Sequence, residues 1–128
     1  MLEILGSLFP AAVLAGTPLL LGALGEILTE RAGNLNLGVE GMMFMGAISG
    51  LAGSYFCEQA VLSSGGTPSG VISAVIALIT SMLAGMLGAL IYSFLTISLR
   101  ANQNVTGLTL TIFGTGFCNF PPFFSDFN

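Results

Sequence analysis

The chain has 128 residues, of which six are acidic and two basic, and 54% of its side chains are hydrophobic. Charged residues make up 6%, against about 25% in soluble domains, so a water-facing surface built from this chain would carry large apolar patches. With glycine at 18 positions and a mean hydropathy of +0.96, the composition argues against a soluble globular domain and for an integral membrane protein. Lys, His and Trp are absent. Without Lys there is no P-loop, and without His there is no Ser-His-Asp triad or histidine zinc site. Two arginines cannot build the cationic surface that nucleic acid requires, so no nucleic-acid partner is expected. Cys57 and Cys118 are too few for a disulfide framework or a four-cysteine metal site, and no cofactor or metal is expected.

Charges punctuate the chain. Residues 4–25 carry none and predict a first span over about 4–28. Pro10 and Pro18 lie inside it, which membrane helices tolerate because neighbouring groups re-satisfy the freed carbonyls. A cleaved signal peptide is the rival reading. It would need a basic leader, and Met1–Ser7 offers only Glu3. The second uncharged run, Gly41–Cys57, predicts a segment over about 39–57. It is short and glycine-rich, which fits a half-helix or re-entrant segment as well as a full span.

The third run, Val71–Leu99, holds 14 Val, Ile, Leu or Phe side chains. Their insertion free energy sums to about −4 to −8 kcal/mol, enough to carry the serines and threonines among them into lipid. A fourth apolar segment spans about 105–120 and is rich in threonine and glycine. Residues 121–128 form an atypical Phe-rich tail, a composition shift that suggests an altered or interrupted C-terminus. The expected fold is all-α: one partial domain over 1–128, a polytopic bundle of three to four transmembrane or half-spanning helices.

Arg31 and Arg100 fall on one side if the second segment crosses fully. Basic residues favour the cytoplasm, which puts the 26–40 and 100–104 loops inside, and the 58–70 loop and the N-terminus outside. In lipid, helices associate through small residues. Gly46, Gly50 and Ser54 supply one such face. Ser81, Gly85 and Ala89 supply another, and Ala84 and Gly88 a third. Ordinary bundle packing is the favoured reading of these faces, ahead of a transport core. Met42, Met43 and Met45 read as adaptable packing rather than a metal site.

The stretch Gly25–Gly41 holds four of the eight charges, between two membrane segments. Gly33, Gly38 and Gly41 permit positive φ, and Asn34 and Asn36 can satisfy local backbone groups in a turn. Two readings stand side by side. Glu40 leads into a broken helix lining a cavity, or Glu30 and Arg31 sit in a watery cytoplasmic loop.

These residues also resemble a family. Pro18, Glu30-Arg31-Ala32-Gly33, Asn36-Leu37-Gly38, Glu40-Gly41-Met42-Met43 and Gly46-Ala47 look like the early motif of ABC importer permeases. The type is the branched-chain amino acid/ribose one, in its simple-sugar and nucleoside branch. Leu99-Arg100-Ala101-Asn102 and Val105-Thr106-Gly107-Leu108 resemble a second element, with Asn104 in place of the usual apolar residue. The resemblance covers residues 10 to 116.

It implies a multi-pass subunit of the bacterial cytoplasmic (inner) membrane that forms part of a solute pathway and is not an enzyme. Its implied partners are membrane lipid, a second permease subunit, ABC ATPase subunits, an extracytoplasmic substrate-binding protein and a small solute. Purine nucleosides are the favoured solute, with simple sugars next. Family members are at least twice as long and carry their ATPase-coupling helix in the later half, so an N-terminal fragment is expected. Glu30, Arg31, Asn36, Glu40, Gly41, Asn104 and Thr106 are the candidate pathway or architectural residues. The competing classes are a small self-assembling, holin-like pore and a membrane-embedded enzyme. For the enzyme, only Glu26, Glu30, Glu40 and Glu58 are plausible acids, and no base–nucleophile pair emerges.

Overall fold

In the computed structural model the described residues are 2–119, with side chains described from residue 6. Four helices follow in order: α1 (Leu2–Arg31), α2 (Val39–Ser63), α3 (Gly70–Ser93) and α4 (Gln103–Cys118). A π-helical turn, Phe94–Ser98, extends α3. No strand occurs among the described residues. Two segments, Gly6–Arg31 and Gly70–Ser98, are long and apolar enough to cross a membrane. The chain divides into two units, residues up to 36 and residues from 37 on.

The first unit is α1 and the turn after it. Helix α1 runs through Pro10 and Pro18 unbroken. Beside Pro18, the Thr17 hydroxyl donates to the Val13 carbonyl at 2.7 Å. Phe9, Leu14 and Leu28 are each more than 70% exposed, so their favourable surroundings are lipid or other helices rather than water. At the C-terminus Gly33 takes φ +81°. Gly33 N–H then donates to Glu30 O at 2.9 Å, and Asn34 N–H to Thr29 O at 3.0 Å. These are the paired bonds of a Schellman cap, and only glycine enters its left-handed position at no steric cost. The Glu-Arg-Ala-Gly sequence is thus, locally, a helix stop.

The second unit holds α2, α3 and α4. Helix α2 corrects one sequence expectation. It does not end near residue 57 but runs 25 residues, about 37 Å, without a break. Glu58 lies inside it rather than at its end. The carboxylate accepts a 2.6 Å hydrogen bond from the Ser73 hydroxyl on α3, so this charge is incorporated into the helix pair instead of ending it. The helix stops at a second Schellman cap, with Gly65 at φ +77° and bonds from Gly65 N–H to Leu62 O and from Gly66 N–H to Val61 O.

Helix α3 returns antiparallel to α2: Gly88 faces Met42, while Ser73 faces Glu58. At its end the π turn passes Leu99 N–H back to Phe94 O at 3.2 Å. Arg100 then takes φ +50°, a left-handed conformation unusual for a side chain of this size. Asn102 caps α4, its Oδ1 accepting from Asn104 N–H at 3.0 Å. This cap starts α4 at Gln103, two residues before the apolar run begins. Ile48, Tyr92 and Leu110 form the small buried core. Leu83, Leu87 and Leu90 on α3 remain exposed.

The caps make a direct prediction. Gly33→Ala, strained at positive φ, and Asn102→Ala, lacking the side-chain acceptor, should each lower stability by about 1 kcal/mol. Ala101→Ser, which touches neither device, is the control. Thermal unfolding of the chain in detergent micelles measures all three.

Candidate functional site

Helices α2 and α4 run parallel and cross at glycines. A Cβ added at Gly114 would lie 2.5 Å from Gly41 O and 2.7 Å from Gly41 Cα. One added at Gly41 would overlap the Leu110 carbonyl oxygen and come within 2.7 Å of Thr111 Cα. The obstacles are backbone atoms, which cannot swing aside. Both positions therefore require hydrogen as a side chain. One turn toward the start of α2, a Cβ at Gly107 would lie 2.9 Å from Gly38 N and from Leu37 Cβ. Gly107 and Gly114 are seven residues apart, two helical turns, and so share one face of α4.

Two hydrogen bonds fasten the same seam. The Thr111 hydroxyl donates to Leu37 O at 3.0 Å, and the Cys118 thiol donates to Phe44 O at 3.2 Å. Leu37 precedes the helix, so its carbonyl has no partner within α2 and gains one from α4. At the α2–α3 seam the closest obstacle is a side chain: a Cβ at Gly53 would lie 2.5 Å from Thr80 Oγ1. A Cβ at Gly46 would meet Ser81 O at 3.3 Å, and one at Gly50 would meet Ala77 O at 3.1 Å. Met42 and Met45 pack at Gly88, with 3.2 Å from its added Cβ to Met42 Cγ. By contrast, a Cβ at Gly85 meets nothing within 4 Å. Of the small-residue faces expected from sequence, Gly46, Gly50, Ser81 and Gly88 line a seam among the described residues, and Gly85 does not.

On the other side of α4, a cavity of about 410 Å³ opens between it and the end of α3. Tyr92, Leu95, Thr106, Leu110 and Phe113 line it. Tyr92 is 3% exposed and Thr106 9%.

The candidate residues from sequence separate into distinct environments. Within the first unit, Glu30 and Arg31 are exposed on the last turn of α1, where Glu30 O receives the Gly33 N–H of the cap, and Asn36 is buried. Within the second unit, Gly41 lies in the α2–α4 crossing and Thr106 on the cavity wall. Glu40 and Asn104 are exposed near the N-terminal ends of α2 and α4. Sequence reasoning missed Gly114, Thr111 and the capping role of Asn102. The seven-residue interval between Gly107 and Gly114 was the available signal for the first. Nothing in sequence pairs Thr111 with Leu37, 74 positions away.

The family profile described as branched-chain amino acid transport system / permease component matches residues 9–121. The chain belongs to this permease family. Two curated relatives agree. One, TsgC13 of Haloferax volcanii, bears the name of a glucose ABC transporter permease and is 41% identical over 88% of this chain. The other, NupQ of Bacillus subtilis, bears the name of a guanosine ABC transporter permease and is 33% identical over 89% of this chain. The chain spans about a third of the length of these relatives, 30% and 33% respectively. No solved structure matches. Family membership gives the glycine seam its setting: a permease needs tightly joined helices in a solvent that does not drive them together.

Gly41→Ala and Gly114→Ala should each loosen the α2–α4 seam by about 1–3 kcal/mol, because the obstructing atoms are backbone. Gly85→Ala and Gly116→Ala, with nothing within 4 Å of an added Cβ, should be neutral or slightly stabilising. Resistance to detergent-induced unfolding ranks the four variants.

Proposed function

We propose that this chain forms part of the solute pathway of an ATP-driven ABC importer for nucleosides or simple sugars. The single observation that carries this reading is the permease-family match across residues 9–121. The names of the two relatives, one for glucose and one for guanosine, support the solute classes. In this proposal the chain is a multi-pass protein of the bacterial cytoplasmic membrane. A second permease subunit completes the pathway, separate ATPase subunits hydrolyse ATP, and an extracytoplasmic binding protein delivers the solute. The permease performs no covalent chemistry; its part is to position helices that open alternately to the two sides.

The geometry supports a division of labour among its residues. Gly41 and Gly114 join α2 to α4, and Thr106 belongs to the wall that a solute meets. Glu30, Arg31 and Asn36 serve the architecture at the end of α1. Glu40, in the first turn of α2, favourably opposes the positive end of that helix's dipole.

A chimera tests the proposal. The segment of NupQ that matches this chain is replaced by the chain's own sequence, in cells lacking NupQ. Guanosine uptake above the vector background, abolished by loss of the ATPase, is expected. A chimera that reaches the membrane at the normal level and transports nothing, or that leaks ions without the ATPase as a pore would, contradicts the proposal. In the same chimera Glu40→Ala should lower uptake or membrane abundance severalfold, and Glu40→Asp should restore most of it. Uptake and abundance unchanged in Glu40→Ala would remove this role for Glu40.

A further inference from the structure

The link from α3 to α4 is built out of helical register. In the π turn Phe94–Ser98 the Leu99 N–H reaches back five residues to Phe94 O, at 3.2 Å, where an α-helix would reach back four. The acceptor that an α-helix would give it, Leu95 O, is taken by Ala101 N–H at 3.0 Å. That bond closes with Arg100 at φ +50°, a conformation in which any side chain crowds its own backbone. At the other two positive-φ positions among the described residues, Gly33 and Gly65, glycine avoids this strain. Just before Arg100 the buried Thr96 hydroxyl donates to Tyr92 O at 2.9 Å, a back-bond of the kind that bends helices.

We propose that this link is a two-state hinge. In its second state Leu99 N–H moves from Phe94 O to Leu95 O, Ala101 N–H is released, and Arg100 leaves the left-handed region. One carbonyl, Leu95 O, thus serves two competing donors. The strain of a side chain at positive φ and the net worth of one backbone hydrogen bond are similar in size and opposite in sign, so the two states lie close in free energy. Phe94, Ile97 and Leu99 are exposed among the described residues, so the change of register does not pull them from a packed core. The rest of the second unit is fastened. The glycine crossing holds α4 to α2, and the Glu58–Ser73 bond with the contacts at Gly46 and Gly50 holds the body of α3 to α2. Movement therefore concentrates in residues 94–101. A permease that opens alternately to two sides needs a bistable element of this kind. That use of the hinge rests on the proposed transport function; the hinge itself does not.

Amide hydrogen exchange, read residue by residue by NMR on the chain in lipid nanodiscs, tests the hinge. Arg100→Gly removes the left-handed penalty and should slow exchange of the Ala101 amide about three- to tenfold, with the Leu110 amide in the α2–α4 seam unchanged. Arg100→Val, whose β-branch is disfavoured further at positive φ, should speed it. Arg100→Ala keeps the penalty of a side chain and removes the guanidinium, so Ala101 exchange should stay within about twofold of the parent. Three results would each overturn the proposal: unchanged Ala101 exchange in Arg100→Gly, slowing spread evenly over α3 and α4, or an equal response to Arg100→Ala. They would indicate a static link, a general gain in stability and an effect of charge, respectively. In the NupQ chimera, Arg100→Gly and Arg100→Val should each lower guanosine uptake severalfold at normal membrane abundance, because each holds the hinge at one end. Unchanged uptake in both would remove the hinge from transport. Uptake by the parent chimera reports on the transport function and exchange in the chain alone on the hinge, so the two failures are distinguishable.

Discussion

Two helix backbones touch at Gly41 and Gly114, and the rest of the second unit is arranged around that contact. Lipid tails are as apolar as the leucines of the chain, so the hydrophobic effect does not pull these helices together. Dispersion between closely fitted atoms and a few hydrogen bonds must do so, and both fall off within fractions of an ångström. Glycine is the means of reaching that distance. Once α2 and α4 meet there, the Thr111 hydroxyl comes within reach of Leu37 O and the Cys118 thiol within reach of Phe44 O. The seam on one side of α4 leaves its other side to face the end of α3, where the cavity lies.

The segment boundaries show what a sequence of this kind reveals. The apolar runs of α1 and α3 were legible because charge is costly in lipid, so its absence over twenty or more residues marks membrane depth. The same rule placed the end of α2 too early. It treats Glu58 as a boundary, whereas the carboxylate accepts a hydrogen bond from Ser73, a residue 15 positions away. Asn102 illustrates the opposite case. Its capping role is local and follows ordinary cap chemistry, yet the reading of hydropathy alone passed over it.

The candidate site was legible in its parts more than in its assembly. The Glu-Arg-Ala-Gly motif closes α1 with a cap, and Gly33 takes the positive φ expected of it. Which glycines would touch was hidden, since Gly41 and Gly114 are far apart in sequence and their contact depends on the parallel course of α2 and α4. Gly85 has the same spacing from Ser81 and Ala89 that marks a packing face, yet it meets nothing within 4 Å in the described residues. Spacing identifies a face on a helix; only the neighbouring helix decides whether the face is used. Thr106, already a candidate from the family-like motif, is also the buried one among the four threonines of α4.

The central claim is the backbone contact between α2 and α4, and solid-state NMR of the isotopically labelled chain in lipid bilayers measures it most directly. A carbon–carbon correlation between the Gly41 carbonyl and Gly114 Cα is predicted at short mixing time, together with no lipid-chain contact at either residue. Lack of that correlation, with both glycines in contact with acyl chains, would contradict the account.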